Sequence, residues 1–110
     1  MKRGDLVAVA VSGDYGKPRP ALVVQAAAFD ALPSVTVLLL TSHLRDVSRT
    51  RLTVQPDAAN NLRVVSQIMI DRAVTVSRAK VGKVIGSVDA ATMQAVNRAL
   101  AAFLGLEGVP

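Results

Sequence analysis

The chain of 110 residues contains no cysteine, no tryptophan and only one histidine, His43. Without cysteine there is no disulfide, no thiolate nucleophile and no zinc site of the usual kind, which suits a reducing compartment. A single histidine excludes an acid–base pair of two histidines within one chain. Only three aromatic side chains are present, too few for a platform on which a run of bases could stack.

Paired acids, cofactor motifs and long apolar runs are also lacking. The eight acidic residues are scattered singly, so the sequence predicts neither a metal site nor the carboxylate pair of a glycosidase. There is no phosphate-binding glycine loop, serine elbow or dinucleotide fingerprint. No apolar run approaches the roughly 20 residues of a membrane span, and the first residues show no signal peptide. We therefore expect one soluble, cytoplasmic domain over residues 1–110, without metal, cofactor or membrane partner.

Positive charge is plentiful. Thirteen Lys and Arg residues stand against eight acids, which gives a formal charge of +5 and a pI near 10.5. A small domain with this balance attracts polyanions, of which nucleic acid is the commonest in a cell. Charge alone leaves an acidic protein or non-specific RNA binding open as alternatives.

Short apolar runs separated by turn-forming residues predict a mainly β protein. The predicted strands cover residues 6–11, 21–25, 35–40, 52–54, 64–70, 74–76 and 84–86. Six consecutive apolar residues at 6–11 predict an interior strand buried on both faces. One helical turn is expected within 26–32, and a helix is expected after Asp89, with apolar residues at helical spacing until Gly105. This order predicts a small, strongly curved antiparallel barrel capped by a helix, with ligands in surface grooves.

The segment GKPRPALVVQ at 16–25 contains the strongest candidate for a binding site. Pro18 and Pro20 restrict the backbone on either side of Arg19 to nearly extended geometry. A guanidinium fixed at the start of a strand can bind a phosphate or carboxylate through two parallel hydrogen bonds. The simpler alternative is a basic loop that enters a core strand.

Hydrogen-bonding groups also follow the third predicted strand, as Thr41, Ser42 and His43. Local capping of the strand end is their simpler explanation. Gln67, within a mostly apolar strand, could read a base edge or a phosphate, or could equally satisfy a buried backbone group. The remaining chemistry that these residues allow is phosphodiester cleavage without metal, in which RNA supplies its own 2′-hydroxyl nucleophile and Arg19 and Thr41 hold the phosphate.

Several segments together resemble the MazF/PemK family of toxins from type II toxin–antitoxin systems. They are MKRGD at 1–5, KPRPALVVQ at 17–25, LTS at 40–42, SQIMID at 66–71 and the closing amphipathic helix. The resemblance implies an SH3-like barrel (MazF/PemK/CcdB-like) with a C-terminal helix, a homodimer and a sequence-specific, metal-independent endoribonuclease that cleaves single-stranded messenger RNA. It also implies 2′,3′-cyclic phosphate and 5′-hydroxyl ends. The implied partner is a cognate antitoxin whose acidic, disordered tail occupies the RNA groove. The toxin is expected to contact DNA only indirectly, through the toxin–antitoxin complex.

The resemblance also implies roles for individual residues. Arg19 and Thr41 match the catalytic arginine and threonine, and a mobile loop covering 12–17 shapes the groove. Contacts with RNA are implied for Tyr15, Lys17, Ser42, His43, Arg49 and Gln67. Because arginine stays protonated, Arg19 suits stabilising the phosphorane and protonating the leaving 5′-oxygen, while Thr41 orients the phosphate or the 2′-hydroxyl.

One departure from the family pattern lies just before Gln67. Some members carry an acid directly before this glutamine and an arginine two residues earlier still, where this chain has Ser66 and Val64. Arg63 or His43 is then the candidate for the missing acid–base group.

Two alternatives to an endoribonuclease remain. The first is a CcdB-like toxin that binds DNA gyrase, but such toxins use a C-terminal tail with a tryptophan, which this chain lacks. The second is a non-catalytic RNA- or DNA-binding barrel, which would also keep an arginine and a hydroxyl at a phosphate.

Overall fold

The computed structural model describes residues 1–11, 17–47 and 49–106, which form one antiparallel sheet followed by a helix. Its strands are β1 (Asp5–Ala10), β2 (Pro18–Val23), β3 (Ser34–Thr41), β4 (Arg51–Val54), β5 (Ser66–Ser77) and β6 (Val81–Ser87). Short 3₁₀ helices at Ala27–Phe29 and Arg78–Lys80 follow β2 and β5, and helix α1 covers Ala90–Phe103. The mainly β fold with a C-terminal helix is confirmed.

The sheet is curled into an open barrel. Its strand order is β4-β5-β3-β2-β1-β6, so three strands separate β5 from β6. Four strand spacings in a flat sheet would be about 19 Å, whereas the four Cα steps from Ser77 to Val81 reach about 14 Å at most. The sheet must therefore curl to bring the ends of β5 and β6 together. Within the described residues, the edge strands β4 and β6 do not pair with each other, so the barrel is not closed.

Both faces of the sheet are buried, because apolar side chains occupy successive positions along the inner strands. One face packs against Val96 of α1 and includes Leu6, Leu22, Leu38, Leu40, Ile68 and Ile70. The opposite face includes Val7, Val9, Ala21, Val23, Val35, Val37, Leu39 and Met69. Strand β1 lies between β2 and β6 and contributes to both clusters, which confirms the interior strand predicted at 6–11.

Strand β5 corrects the prediction of two separate strands at 64–70 and 74–76. It is one strand of 12 residues with an irregularity opposite β3, where Leu38 pairs with Ala73 but Leu40 pairs with Ile68. Five steps along β5 thus match two along β3, and the exposed residues Asp71 and Arg72 lie in this extra length. A bulge lets the polar pair face outward while the strand continues, which the interrupted apolar pattern does not reveal.

Candidate active site

Arg19 and Thr41 lie where β2 and β3 separate. The two strands pair from Ala21↔Leu39 to Val23↔Val37, so Arg19 and Thr41 each lie two positions beyond the last pair. The Arg19 Nη2 atom donates to the Leu40 carbonyl oxygen at 2.9 Å, which holds the half-buried guanidinium against the end of β3. The sheet therefore brings to one groove the two residues that are predicted to hold the phosphate.

The Thr41 hydroxyl accepts a hydrogen bond from the backbone N–H of His43 at 3.1 Å. This is the local capping that the sequence analysis considered as the simpler explanation. A hydroxyl that accepts still carries its own hydrogen, so Thr41 can accept from His43 and donate to a substrate oxygen at once. Capping and phosphate binding are thus compatible at this residue.

Two adjoining grooves border this pair. The first groove encloses about 650 Å³ and is lined by Lys17, Pro18, Arg19, Pro20, Leu40, Thr41, Ser42 and His43. The second groove encloses about 520 Å³ and shares Pro20, Leu40, Thr41 and Ser42 with the first. Its other walls are Ala8, residues 61–64 and 66, and residues 83–85 of β6. The two grooves thus adjoin at these four shared residues, and we refer to them together as the trough, with Lys17 and Arg19 in the first groove and Arg63 and Lys83 in the second.

Gln67 lies in one row with two threonines, because it pairs with Thr41 of β3 on one side and with Thr53 of β4 on the other. Only 6% of its surface is exposed. Its Oε1 accepts from the Arg45 N–H at 3.0 Å and from Arg51 Nη1 at 3.2 Å. Its Nε2 donates to the Arg45 carbonyl at 2.9 Å and to Thr53 Oγ1 at 3.2 Å.

These four bonds use the usual donors and acceptors of the Gln67 amide inside the protein. They match the alternative in which Gln67 satisfies buried backbone groups, while its contact with RNA stays a prediction. Arg51 was not among the candidate residues. The sequence signal that could have found it is the polar side of the alternating segment at 51–54.

The other candidate residues are spread around the trough. Lys17, Ser42 and His43 are exposed in the first groove, whereas Arg49 is exposed beside β4 and lines neither groove. Tyr15 and most of the predicted mobile loop lie outside the described residues. Of the candidate acid–base groups, His43 borders the first groove and Arg63 the second.

Ser66, at the position where the resemblance leads us to expect an acid, is buried beside the second groove. Its hydroxyl donates to the Val64 carbonyl oxygen at 3.0 Å. The two positions at which this chain departs from the family pattern are therefore joined to each other by a hydrogen bond.

The wall of the second groove is supported by a buried asparagine. Asn60 is 1% exposed, and its Oδ1 accepts from the backbone N–H groups of Asp57 and Leu62, each at 3.0 Å. Its Nδ2 donates to the Gln55 carbonyl at 2.9 Å. These bonds fix the turn that leads into residues 61–64.

Across residues 1–11, 17–47 and 49–106, no three His, Asp or Glu side chains gather into a set that could hold a metal ion. In the same part of the chain, no helix has the length and apolar character needed to cross a membrane.

The curled sheet, its helix and the basic trough define a small barrel protein with a groove suited to a polyanion. The family model for the PemK-like, MazF-like toxin of type II toxin–antitoxin systems matches residues 2–104. The chain belongs to this family.

Individual relatives agree with this assignment. The probable endoribonuclease MazF of Mycolicibacterium smegmatis is 40% identical over 109 residues, which cover 98% of this chain and 100% of the relative. An endoribonuclease solved in complex with its cognate antitoxin, from a mycobacterial species, has a TM-score of 0.83 at 25% identity and 99% coverage of both chains. The Mycobacterium tuberculosis toxin MazF-mt6 has a TM-score of 0.81 at 24% identity, covering 94% of this chain and 98% of that toxin, and supports the fold.

These similarities confirm the expected family, the barrel fold and the function class, a toxin of the endoribonuclease type. They favour that class over the gyrase-binding alternative.

Proposed function

We propose that the protein is the toxin of a type II toxin–antitoxin pair and cleaves single-stranded messenger RNA at a preferred sequence. The observation that carries this proposal is that Arg19 and Thr41 line one groove at the diverging ends of β2 and β3, with Arg19 bonded to the Leu40 carbonyl and Lys17 in the same groove. The 40% identity to a probable endoribonuclease supports the same reaction.

The proposed reaction is an internal transesterification. The RNA 2′-hydroxyl oxygen bonds to the neighbouring phosphorus, and the bond from phosphorus to the 5′-oxygen breaks, which leaves a 2′,3′-cyclic phosphate and a 5′-hydroxyl. Arg19 stabilises the negative charge of the phosphorane and donates a guanidinium proton to the leaving 5′-oxygen, after which it regains a proton from solvent. Thr41 donates its hydroxyl hydrogen to a phosphate oxygen while it accepts from His43 N–H. The His43 imidazole, in the same groove, is the candidate to accept the 2′-hydroxyl proton.

The trough also suggests the course of the RNA strand. With the scissile phosphate in the first groove, the strand would continue into the second, where Arg63 and Lys83 can meet further phosphates. Val64, Val84 and Ile85 offer apolar walls for bases there. No metal or cofactor is needed in this scheme.

The same cations make the trough a suitable site for an acidic antitoxin tail, which would compete with RNA. The mycobacterial structural relative was solved with its cognate antitoxin. We further propose that the toxin is a homodimer and that it acts in the cytoplasm, where messenger RNA is translated. It contacts DNA only indirectly, through its complex with the antitoxin.

The test is cleavage of a long single-stranded RNA in EDTA, with fragment ends mapped by primer extension and assayed for 2′,3′-cyclic phosphate. We expect discrete cuts by the wild type and a loss on the order of 10²–10³ in rate for Arg19→Ala. The matched control is Arg98→Ala, which removes one positive charge from an exposed position of α1. Intact RNA with folded wild-type protein, or equal rates for the two variants, would contradict the proposal.

A further inference from the structure

Two side chains of neighbouring strands hold the main chain that follows β3. Arg51 Nη1 donates to the His43 carbonyl oxygen at 2.8 Å and also lies 3.2 Å from Gln67 Oε1. Gln67 in turn binds both the N–H and the carbonyl of Arg45. Residues 43 and 45 are therefore attached to β4 and β5 by side chains rather than by a strand ladder. We refer to Arg51 and Gln67 as the clamp.

The clamp is connected to the Thr41 hydroxyl through His43. The His43 N–H donates to Thr41 Oγ1, while the His43 carbonyl accepts from Arg51. Both polar backbone groups of residue 43 are thus engaged, one by the hydroxyl and the other by the guanidinium. A shift of this residue would change the direction in which the Thr41 hydroxyl hydrogen points, because its acceptor geometry would change.

The planar guanidinium of Arg51 is well suited to holding the His43 carbonyl and the Gln67 side chain at the same time. Its donors lie at fixed angles, so Nη1 can reach two acceptors while the group keeps one orientation. A lysine in its place would keep the charge on a flexible stem and would not reproduce that geometry. Both acceptors lie within the protein, so this nitrogen is directed at the scaffold rather than at the trough.

We propose that Arg51 is a positioning residue for RNA cleavage, which acts with Gln67 through the main chain of residues 43–45 to orient the Thr41 hydroxyl. This inference rests on the proposed function. It assigns Gln67 to the support of the site, in place of a direct contact with RNA. Displacement of a reacting group by about 1 Å can cost on the order of 10²-fold in rate, so we expect losses between about tenfold and 10²-fold.

The first experiment separates positioning from charge. Single-turnover cleavage of the same long RNA is measured for Arg51→Met and Arg51→Lys, with Arg98→Met as the charge-matched control. We expect both Arg51 variants to lose rate at saturating protein, with half-saturating concentrations like that of the control. If Arg51 instead binds a phosphate directly, Arg51→Lys restores the rate and Arg51→Met mainly raises the half-saturating concentration, which would overturn the proposal.

The second experiment tests the route through Thr41 and Gln67. Arg51→Met is combined with Thr41→Val and, separately, with Gln67→Leu. If the residues act as one unit, each double variant is little slower than its slower single variant. If instead the rate loss of a double variant equals the product of the losses of its two single variants, the residues act independently. Such a result, which includes a separate RNA contact by Gln67, would overturn the clamp.

The third measurement does not depend on cleavage. Amide hydrogen exchange of His43 and Arg45 is followed in the wild type, in Arg51→Lys and in Gln67→Asn. These polar variants replace the apolar ones if those fail to fold, and the asparagine amide is one carbon too short to reach residue 45. We expect faster exchange at both amides, with little change at core amides of β1. Unchanged exchange would refute the clamp. Absence of cleavage by the wild type would instead refute the proposed function, while the exchange data still decide whether the clamp exists.

Discussion

Substitution of Gly86 by alanine should loosen the wall of the second groove. A Cβ atom at this position of β6 would lie 2.4 Å from the Ala59 carbonyl oxygen and 2.7 Å from both the C and O atoms of Asn60. Ordinary contacts begin near 3.4 Å, so the backbone of the 59–60 turn would have to withdraw by 0.7 to 1.0 Å (3.4 − 2.7 and 3.4 − 2.4). Backbone atoms cannot avoid the clash by a change of rotamer.

The withdrawal would weaken bonds that depend on the close approach. The Ala59 carbonyl accepts from the Ser87 N–H at 3.0 Å, and Asn60 anchors the same turn. Overpacking of this kind typically costs 1–3 kcal/mol, and we expect about 2 kcal/mol here. For a domain near 100 residues this corresponds to a fall of roughly 10 °C in Tm.

Thermal melting followed by circular dichroism measures this effect, with Gly82→Ala as the matched control in the same strand. A Cβ at Gly82 would lie 3.3 Å from the Ala8 carbonyl oxygen, which needs only a small adjustment. We expect the control to stay within about 1 kcal/mol of the wild type, since alanine also restricts the unfolded chain. Equal melting temperatures for the two variants would refute the close approach on which this prediction depends.

Three further predictions concern the support and charge of the site. Asn60→Ala should lower the free energy of unfolding by about 2–3 kcal/mol in urea titrations, because it leaves buried backbone groups without their partner. Hydrogen bonds from Thr92, the side-chain bond first, lower the pKa of Asp89 from its ordinary value of 3.8, so the carboxylate stabilises the fold above that value. The Tm difference between wild type and Asp89→Ala should persist at neutral pH and shrink as the pH falls below about 4. Lys83→Met should weaken RNA binding and reduce the slope of log affinity against log salt by about 0.7, as expected for one lost phosphate contact.

Much of the fold could be predicted from local patterns. Apolar runs located β1 and β3 because these strands bury consecutive side chains, as in the fully buried Leu6, Val7 and Val9. The partly exposed β4 was located instead by its alternation of polar and apolar residues. Asp89 marked the start of α1, where its carboxylate accepts from the Thr92 N–H at 2.8 Å. The bulge in β5 could not be predicted, because it depends on pairing with β3 and not on the composition of the strand.

The candidate site was predicted only in part. Arg19 could be proposed from the sequence because two prolines beside an arginine are a local signal, and Thr41 because hydroxyls follow a buried strand; their catalytic roles stay predictions. Arg51 was missed because its significance lies in the His43 carbonyl that it reaches, eight positions earlier in the chain. Gly86 could not be recognised from the sequence either. A side chain is excluded there because the backbone atoms of Ala59 and Asn60, far away in the sequence, lie close to its Cα atom.

Local sequence patterns are therefore sufficient for most strand positions, the start of the helix, the excess of positive charge and the local stiffness around Arg19. These properties depend on side-chain chemistry and on neighbours along the chain. Contacts between distant parts of the chain settle that Arg19 and Thr41 line one groove, that Gln67 is buried with its amide bonded to Arg45, and that two grooves adjoin. Those outcomes depend on strand register and sheet curvature, which arise from contacts between residues far apart in sequence.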